Sequence, residues 1–407
     1  MSNQRKIDFA DCYYDQEEIK AVVDVLESGF ANSQNMRLGQ NVLQFERECA
    51  ARFGKAHGLM VNSGSSAIDL ALDLLDFEDG SEIITPALTF STDISALIHA
   101  RLVPSFVDVE PNTYNVDVDR LAEAITPATK AIMVPNLVGS MPDWDRIQAL
   151  ASEHGVLTIE DSCDAFAPVL RGRPTSERAD ITVTSFALAH HITCAGAGGM
   201  ILTDDERLWK LGLKLRRWGW RSEEFLWDGS GRTRSFRGDL DGVVYNDDMI
   251  YDEIGWNFEP AEIGAAFGRV QLTRVEEFNK IRRENYARYV ERFADFDKYF
   301  VPPVVLDGAD AIWMGFAVEI VPGSPFIRAD IQEHMDRRNI VARTIWSGNM
   351  TRQPMMRGQE YKAPEGGLPN CDAVLERHVM FPLHHNMGIA EVDRICDDIK
   401  DFLSTVG

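Results

Sequence analysis

The sequence predicts an α/β protein: a large, mostly parallel, covered sheet domain followed by a smaller C-terminal α/β unit. Three observations point there. From residue 58 to about 217, short apolar runs alternate with amphipathic helical patterns, the rhythm of βαβ units. That rhythm breaks over 218–258 and resumes in a shorter form after 312. The chain of 407 residues is 45% hydrophobic and 26% charged, an ordinary globular balance.

Taken in order, residues 16–28 form an amphipathic helix with Ile19, Val22, Val23 and Leu26 on the face expected to be buried. A loop rich in Asn and Gly spans 30–40, and a second helix follows around Val42-Leu43-Phe45. Strands are expected at 58–61, 82–85, 104–109, 130–135, 156–160, 181–186 and 199–203. Helices are expected near 66–76, 91–100, 118–125 and 143–154, with one more at 205–217. Residues 218–258, rich in Trp, Arg, Gly and Asp, read as an excursion over the active site or a partner subunit. Helices dominate 260–297. The small unit then has a strand at 312–320, a helix at 328–338, a strand at 340–346 and a last helix at 390–404. In that last helix Val392, Ile395, Ile399 and Phe402 share a face, which places Cys396 in the core. The expected domains are 1–270 and 271–407.

Composition excludes several classes of function. The formal charge of −23 provides no basic footprint for nucleic acid. No apolar run reaches the ~18 residues of a membrane span. The polar start, Met1-Ser2-Asn3-Gln4-Arg5-Lys6, lacks the apolar core of a secretory signal, so a cytoplasmic location is expected. The six cysteines are scattered without CxxC spacing, against a disulfide framework, a zinc site or a cysteine-held iron–sulfur cluster.

Three stretches carry chemistry. Asn62-Ser63-Gly64-Ser65-Ser66 joins a strand to a helix; free amides at a helix start suit a phosphate, and an ordinary serine cap has the same pattern. Glu160-Asp161-Ser162-Cys163-Asp164 sits at a strand's C-terminal end, where open α/β sheets bind ligands. One acid there suits a protonated ring nitrogen; a helix-capping pair is the other reading. Thr184-Ser185 ends a strand, and His190-His191 follows. Ser185 offers a hydroxyl to a phosphate and His190 a base near neutral pH, with His191 structural. Adjacent imidazoles point apart, against a metal site. His384-His385 reads as a loop pair.

Cradle, aromatic, acid, hydroxyl and base, in this order, resemble the fold-type I pyridoxal-phosphate (PLP) enzymes of the nucleotide-sugar aminotransferase family, of DegT/DnrJ/EryC/StrS type. The resemblance covers nearly the whole chain and implies the aspartate aminotransferase-like fold. It implies that Gly64, Ser65, Ser66 and Ser185 hold the cofactor phosphate. Phe90, in Thr85-Pro86-Ala87-Leu88-Thr89-Phe90, would stack on the ring. Asp161 would pair with the pyridinium and Asp164 would lie near the ring hydroxyl. Asn257, in Gly255-Trp256-Asn257, would reach the phosphate of the other subunit, which implies a homodimer with shared sites.

His190 aligns with the family's Schiff-base lysine. Ala189-His190-His191-Ile192-Thr193 and Gly348-Asn349-Met350-Thr351-Arg352-Gln353-Pro354 resemble its sugar 3-dehydratase branch. Imidazole cannot form the internal imine, so the cofactor, as PLP or pyridoxamine phosphate, would be held noncovalently. The implied reaction removes the C3 hydroxyl of a nucleotide-linked 4-keto-6-deoxy sugar, with His190 as base and Asp161 keeping the ring nitrogen protonated. The absence of closely spaced cysteines in 218–258 favours a route without an iron–sulfur cluster, in which glutamate regenerates the amine. Arg343 and Arg352 are candidates for sugar or diphosphate oxygens. A 4-aminotransferase-like enzyme and a noncatalytic PLP-binding homologue are the alternatives. The chain departs from the family pattern at Cys194-Ala195-Gly196-Ala197-Gly198-Gly199, at Glu259 and at Asn136.

Overall fold

A computed structural model describes residues 5–37, 39–223 and 236–406. A seven-stranded sheet organises the first part. From one edge its strands run His57–Val61, Gly199–Thr203, Ile181–Ser185, Leu157–Asp161, Thr129–Pro135, Glu82–Pro86 and Val103–Val107. Gly199–Thr203 pairs antiparallel with both its neighbours; the other pairings are parallel. Most of these strands are buried along their length, as expected for a sheet covered by helices on both faces.

Three strand ends converge where the site will form. Asp161 pairs in register with Val183, and Ser185 with Gly199. Ser63 bridges Gly198 beside them. Phe45 and Phe166 pack on the buried Phe186 beneath. Behind the sheet, Glu160 is fully buried and accepts from Asn136 Nδ2 at 2.6 Å, Thr182 Oγ1 at 2.7 Å and Ser162 Oγ at 3.2 Å, besides Thr175. A buried acid held by so many donors fixes the height of its strand.

The second, antiparallel sheet orders Phe300–Val301, Gly315–Ile320 and His378–Pro382. Helices Val275–Phe293 and Ile389–Val406 pack together beside it. Tyr289 stacks on Phe316 at 4.5 Å, and Phe293 meets Phe316 edge-on at 4.7 Å. Cys396 is fully buried among Val392, Ile395 and Ile399. Among the described residues no helix is long and apolar enough to cross a membrane.

Two expectations need correction. Residues 340–346 form no strand. Ile340 bridges Ile7 on one side and Arg343 bridges Met380 on the other, so the segment is shared between two neighbours with one bridge each. The strand lies instead at His378–Pro382, after a helix at Pro369–Arg377. The first helix, Gln16–Ala31, buries Glu18 and Val25, while Ile19, Val23 and Leu26 stay exposed. Glu18 turns inward because Gln271 Nε2 donates to it at 2.7 Å and Arg274 pairs with it. His384 and His385 lie in a loop, as expected, and are buried there, with His385 stacked on Phe278 at 3.9 Å. In the excursion, a hairpin pairs Gly238–Leu240 with Val243–Tyr245; residues 224–235 lie outside the described residues.

Candidate active site

Helix Gly64–Leu75 starts where the first strand ends. Ser63 caps it, its Oγ accepting from Ser66 N at 3.0 Å. The amides of Gly64 and Ser65 are left pointing out of the first turn, where the helix dipole is positive. A Cβ on Gly64 would lie 2.7 Å from Ser185 Cβ and 3.0 Å from Cys163 Sγ, so glycine is required there by close approach. The turn and Ser185 thus surround one point, with Ser185 Oγ accepting a long 3.3 Å bond from Ala187 N. Ser66 is turned to Ser63, their hydroxyls 2.9 Å apart.

Asp161 closes its strand. It is buried, and its Oδ1 accepts from Cys163 N at 2.9 Å. Its carboxyl meets that of Asp93, a fully buried residue in the first turn of helix Ser91–His99. Thr89 Oγ1 binds one Asp93 oxygen, and the other has no donor among the described residues. Burial, and then the charge of Asp161, push Asp93 well above the usual carboxylate range. Two buried carboxyls in contact cannot both ionise, so Asp93 carries the proton. Sequence reasoning missed Asp93, because Ser-Thr-Asp after Phe90 reads as a helix cap.

Asp164 stands three residues on. Its Oδ2 accepts from Val138 N at 2.9 Å and from Trp346 Nε1 at 2.6 Å. Burial raises its pKa to about 7, with Asp161 adding to the rise and the two donors opposing it. His190 lies on the loop between Ser185 and Gly199. That loop is closed by Phe186 N donating to Gly198 O at 2.8 Å and Thr193 Oγ1 to Phe186 O at 2.8 Å. Burial and the nearby Arg282 guanidinium lower the His190 pKa to about 4, so the free imidazole is neutral. His191 points the other way, buried, its Nε2 3.0 Å from Ile312 O.

Phe90 is 47% exposed at the rim and meets Trp346 edge-on at 5.9 Å. Both line a cleft of about 690 Å³ with Arg343, Ser347 and Gln353. Arg352 is elsewhere: it grips Asp372 through two bonds of 3.1 and 2.7 Å. Asn257 is exposed, pairs through its backbone with Arg217, and makes no side-chain hydrogen bond among the described residues.

Asn136 is also settled by its contacts. Its Nδ2 serves Glu160 and Ser162, and its Oδ1 accepts from Trp144 Nε1 at 2.8 Å. Every polar atom of the amide is used inside the core. Glu259 pairs with Arg37 Nε at 2.9 Å and with Arg217 Nε at 3.4 Å.

The sequence pattern that defines the DegT/DnrJ/EryC1/StrS aminotransferase family matches residues 13–400. The chain belongs to that family. Among DegT/DnrJ/EryC1/StrS proteins, the dTDP-4-dehydro-2,6-dideoxy-D-glucose 3-dehydratase of Saccharopolyspora spinosa is 33% identical over 380 residues, covering 90% of this chain and 81% of that protein. A dTDP-4-dehydro-2,3,6-trideoxy-D-glucose 4-aminotransferase from the same organism is 28% identical over 386 residues, covering 94% and 93%. The fold matches a crystal structure of GDP-4-keto-6-deoxymannose-3-dehydratase with a trapped PLP–glutamate geminal diamine. The TM-score is 0.84 at 26% identity, over 96% of this chain and 99% of that one. The seven-stranded sheet is accordingly that of fold type I.

The DegT/DnrJ/EryC1/StrS residues present here fit a planar cofactor that bears a phosphate. The cradle at Gly64 has no room for a side chain. Asp161 offers a buried carboxylate at a strand end, and Phe90 a half-exposed ring.

Proposed function

We propose that the chain is a PLP-dependent 3-dehydratase of a nucleotide-linked 4-keto-6-deoxy sugar, with glutamate as amino donor. One observation carries this reading. The residue in the lysine's place is an imidazole that is neutral, buried on its Nδ1 side and flanked by a carboxyl. Such a group moves protons and cannot make an imine.

Gly64, Ser65 and Ser185 would hold the phosphate, Phe90 would stack on the ring, and Asp161 would face the ring nitrogen. Bound there, PLP or pyridoxamine phosphate supplies an electron sink for the carbon attached to the ring. Asp161 keeps its negative charge on the ring nitrogen while Asp93 holds the neighbouring proton. His190 turns Nδ1 to Asp164, which leaves Nε2 to take up the proton. The cleft beside Phe90, with Arg343 at its wall, receives the nucleotide sugar. The exposed apolar residues Ile19, Val23, Leu26 and Phe30 support a homodimer, in which Asn257 reaches the partner's phosphate turn. We place the boundary between the cofactor-binding domain and the small domain near residue 270. The enzyme is read as cytoplasmic.

The test is product analysis by mass spectrometry with PLP, glutamate and a panel of GDP-, CDP- and dTDP-4-keto-6-deoxy sugars. A 3-deoxy product with ammonia release is expected. A 4-amino sugar would instead establish the second reading, an aminotransferase, which the 28% identical relative favours. No absorbance change on adding glutamate to the PLP-loaded protein would mark a noncatalytic homologue.

A further inference from the structure

His190 has a ring nitrogen without a hydrogen-bond partner among the described residues. Its Nδ1 is buried and unpartnered, yet stands 3.8 Å from Asp164 Oδ1. The other Asp164 oxygen is fully engaged by Val138 N and Trp346 Nε1. The carboxyl is thereby fixed in rotation, with its free oxygen toward the imidazole.

We propose that Asp164 is the positioning residue of His190, accepting its Nδ1–H, and that Trp346 holds Asp164 in that state from the wall of the cleft. The proposal deepens the reading of His190 as a base and rests on it. A base that takes a proton at Nε2 becomes a cation in a buried place, and it needs a nearby anion to do so. The charged and titratable groups around His190 are Arg282, Asp164 and His191. Arg282 is buried and opposes the cation; it donates to Trp313 O and Leu383 O and sits near His385. Around Asp164 stand Asp161, Asp93 and Cys163. Asp161 is committed to Cys163 N and Asp93 is protonated, so Asp164 is the carboxyl placed to offset the charge.

Trp346 links this pair to substrate. Its indole N–H favours the ionised form of Asp164, and its ring meets Phe90 in the cleft. Whatever fills the cleft therefore touches the residue that sets the partner of the base.

Histidine-selective carbon NMR on the full chain, without substrate, tests the pair, with H190N assigning the His190 signal among the nine histidines. The wild-type signal should shift with a midpoint near pH 7, where Asp164 ionises. That step should vanish in D164N and move to higher pH in W346F, because the removed N–H favoured the carboxylate. A His190 signal that ignores both substitutions overturns the proposal. Should D164N fold poorly by circular dichroism, W346F alone decides, since it leaves Asp164 in place. Kinetically, D164N should lower kcat by about tenfold or more, the scale of a poorly oriented base, with KM nearly unchanged. A rise in KM at normal kcat overturns the proposal. The NMR readout needs no turnover: a normal titration in a protein that dehydrates no sugar supports the pair and counts against the dehydratase reading alone.

Discussion

Gly199 lies against Ser63 so closely that a Cβ on Gly199 would overlap the Ser63 carbonyl oxygen and fall 2.6 Å from Gly64 N. The glycine-rich tail after His190 is thus the backing of the turn at Ser63 and Gly64.

Gly199→Ala should push that turn out of place. Overpacking against backbone costs about 1–3 kcal/mol. The variant should melt several degrees lower, and its affinity for PLP, followed by absorbance titration, should fall at least severalfold. Unchanged affinity would show that the turn tolerates the shift.

Asp93→Asn addresses the buried carboxyl pair. Burial raises Asp93 above its ordinary value of 3.8, so the folded state binds the proton more tightly than the unfolded one. By linkage, that contribution is full below pH 3.8 and declines as pH rises above it toward the raised folded value. The amide keeps a hydrogen-bond donor for Asp161 without ionising. Its stability relative to wild type should therefore increase with pH, read as thermal midpoints across a pH series. A difference that does not change with pH would place the proton elsewhere.

His190→Lys should restore an imine-forming amine. Dehydration should fall by about two orders of magnitude or more, the usual weight of a positioned base. The product should shift toward the 4-amino sugar, seen by mass spectrometry. Persistence of dehydration would remove His190 from the chemistry.

Asn136→His tests how tightly the buried amide is held by its partners. Imidazole cannot reproduce the donor pair to Glu160 and Ser162 together with the acceptor for Trp144 Nε1. Leaving buried groups unsatisfied costs about 1–3 kcal/mol each. Denaturant unfolding should show a loss of that order.

Arg343 and Arg352 should separate. Arg343→Ala removes a cation from the cleft and should raise KM for the nucleotide sugar about fivefold or more, the scale of one charged hydrogen bond. Arg352 is spent on Asp372 at the surface, so Arg352→Ala should leave KM within about twofold. Initial-rate kinetics on both variants decides.

Much of the large sheet was legible because its strands are short apolar runs between helical patterns, and register follows from that alternation. The small sheet was less legible. The 340–346 run has strand composition, yet Ile7 and Met380 divide it between them. No local signal announces that competition. The first helix misled in the same way: its apolar stripe is real, but Glu18 faces inward because Gln271 and Arg274 come from 253 and 256 residues away.

By itself the sequence determined the order of the candidate groups: a small-residue turn, an aromatic, an acid, a hydroxyl and an imidazole. Those depend on residue identity and short spacing. Only the tertiary structure decided which groups meet. It set Asp93 against Asp161, turned Asp164 to His190 under Trp346, locked Asn136 into the core and left Arg352 outside the cleft. Those contacts join residues up to 182 positions apart in the chain, and burial makes the protons of Asp93, Asp161 and Asp164 depend on one another.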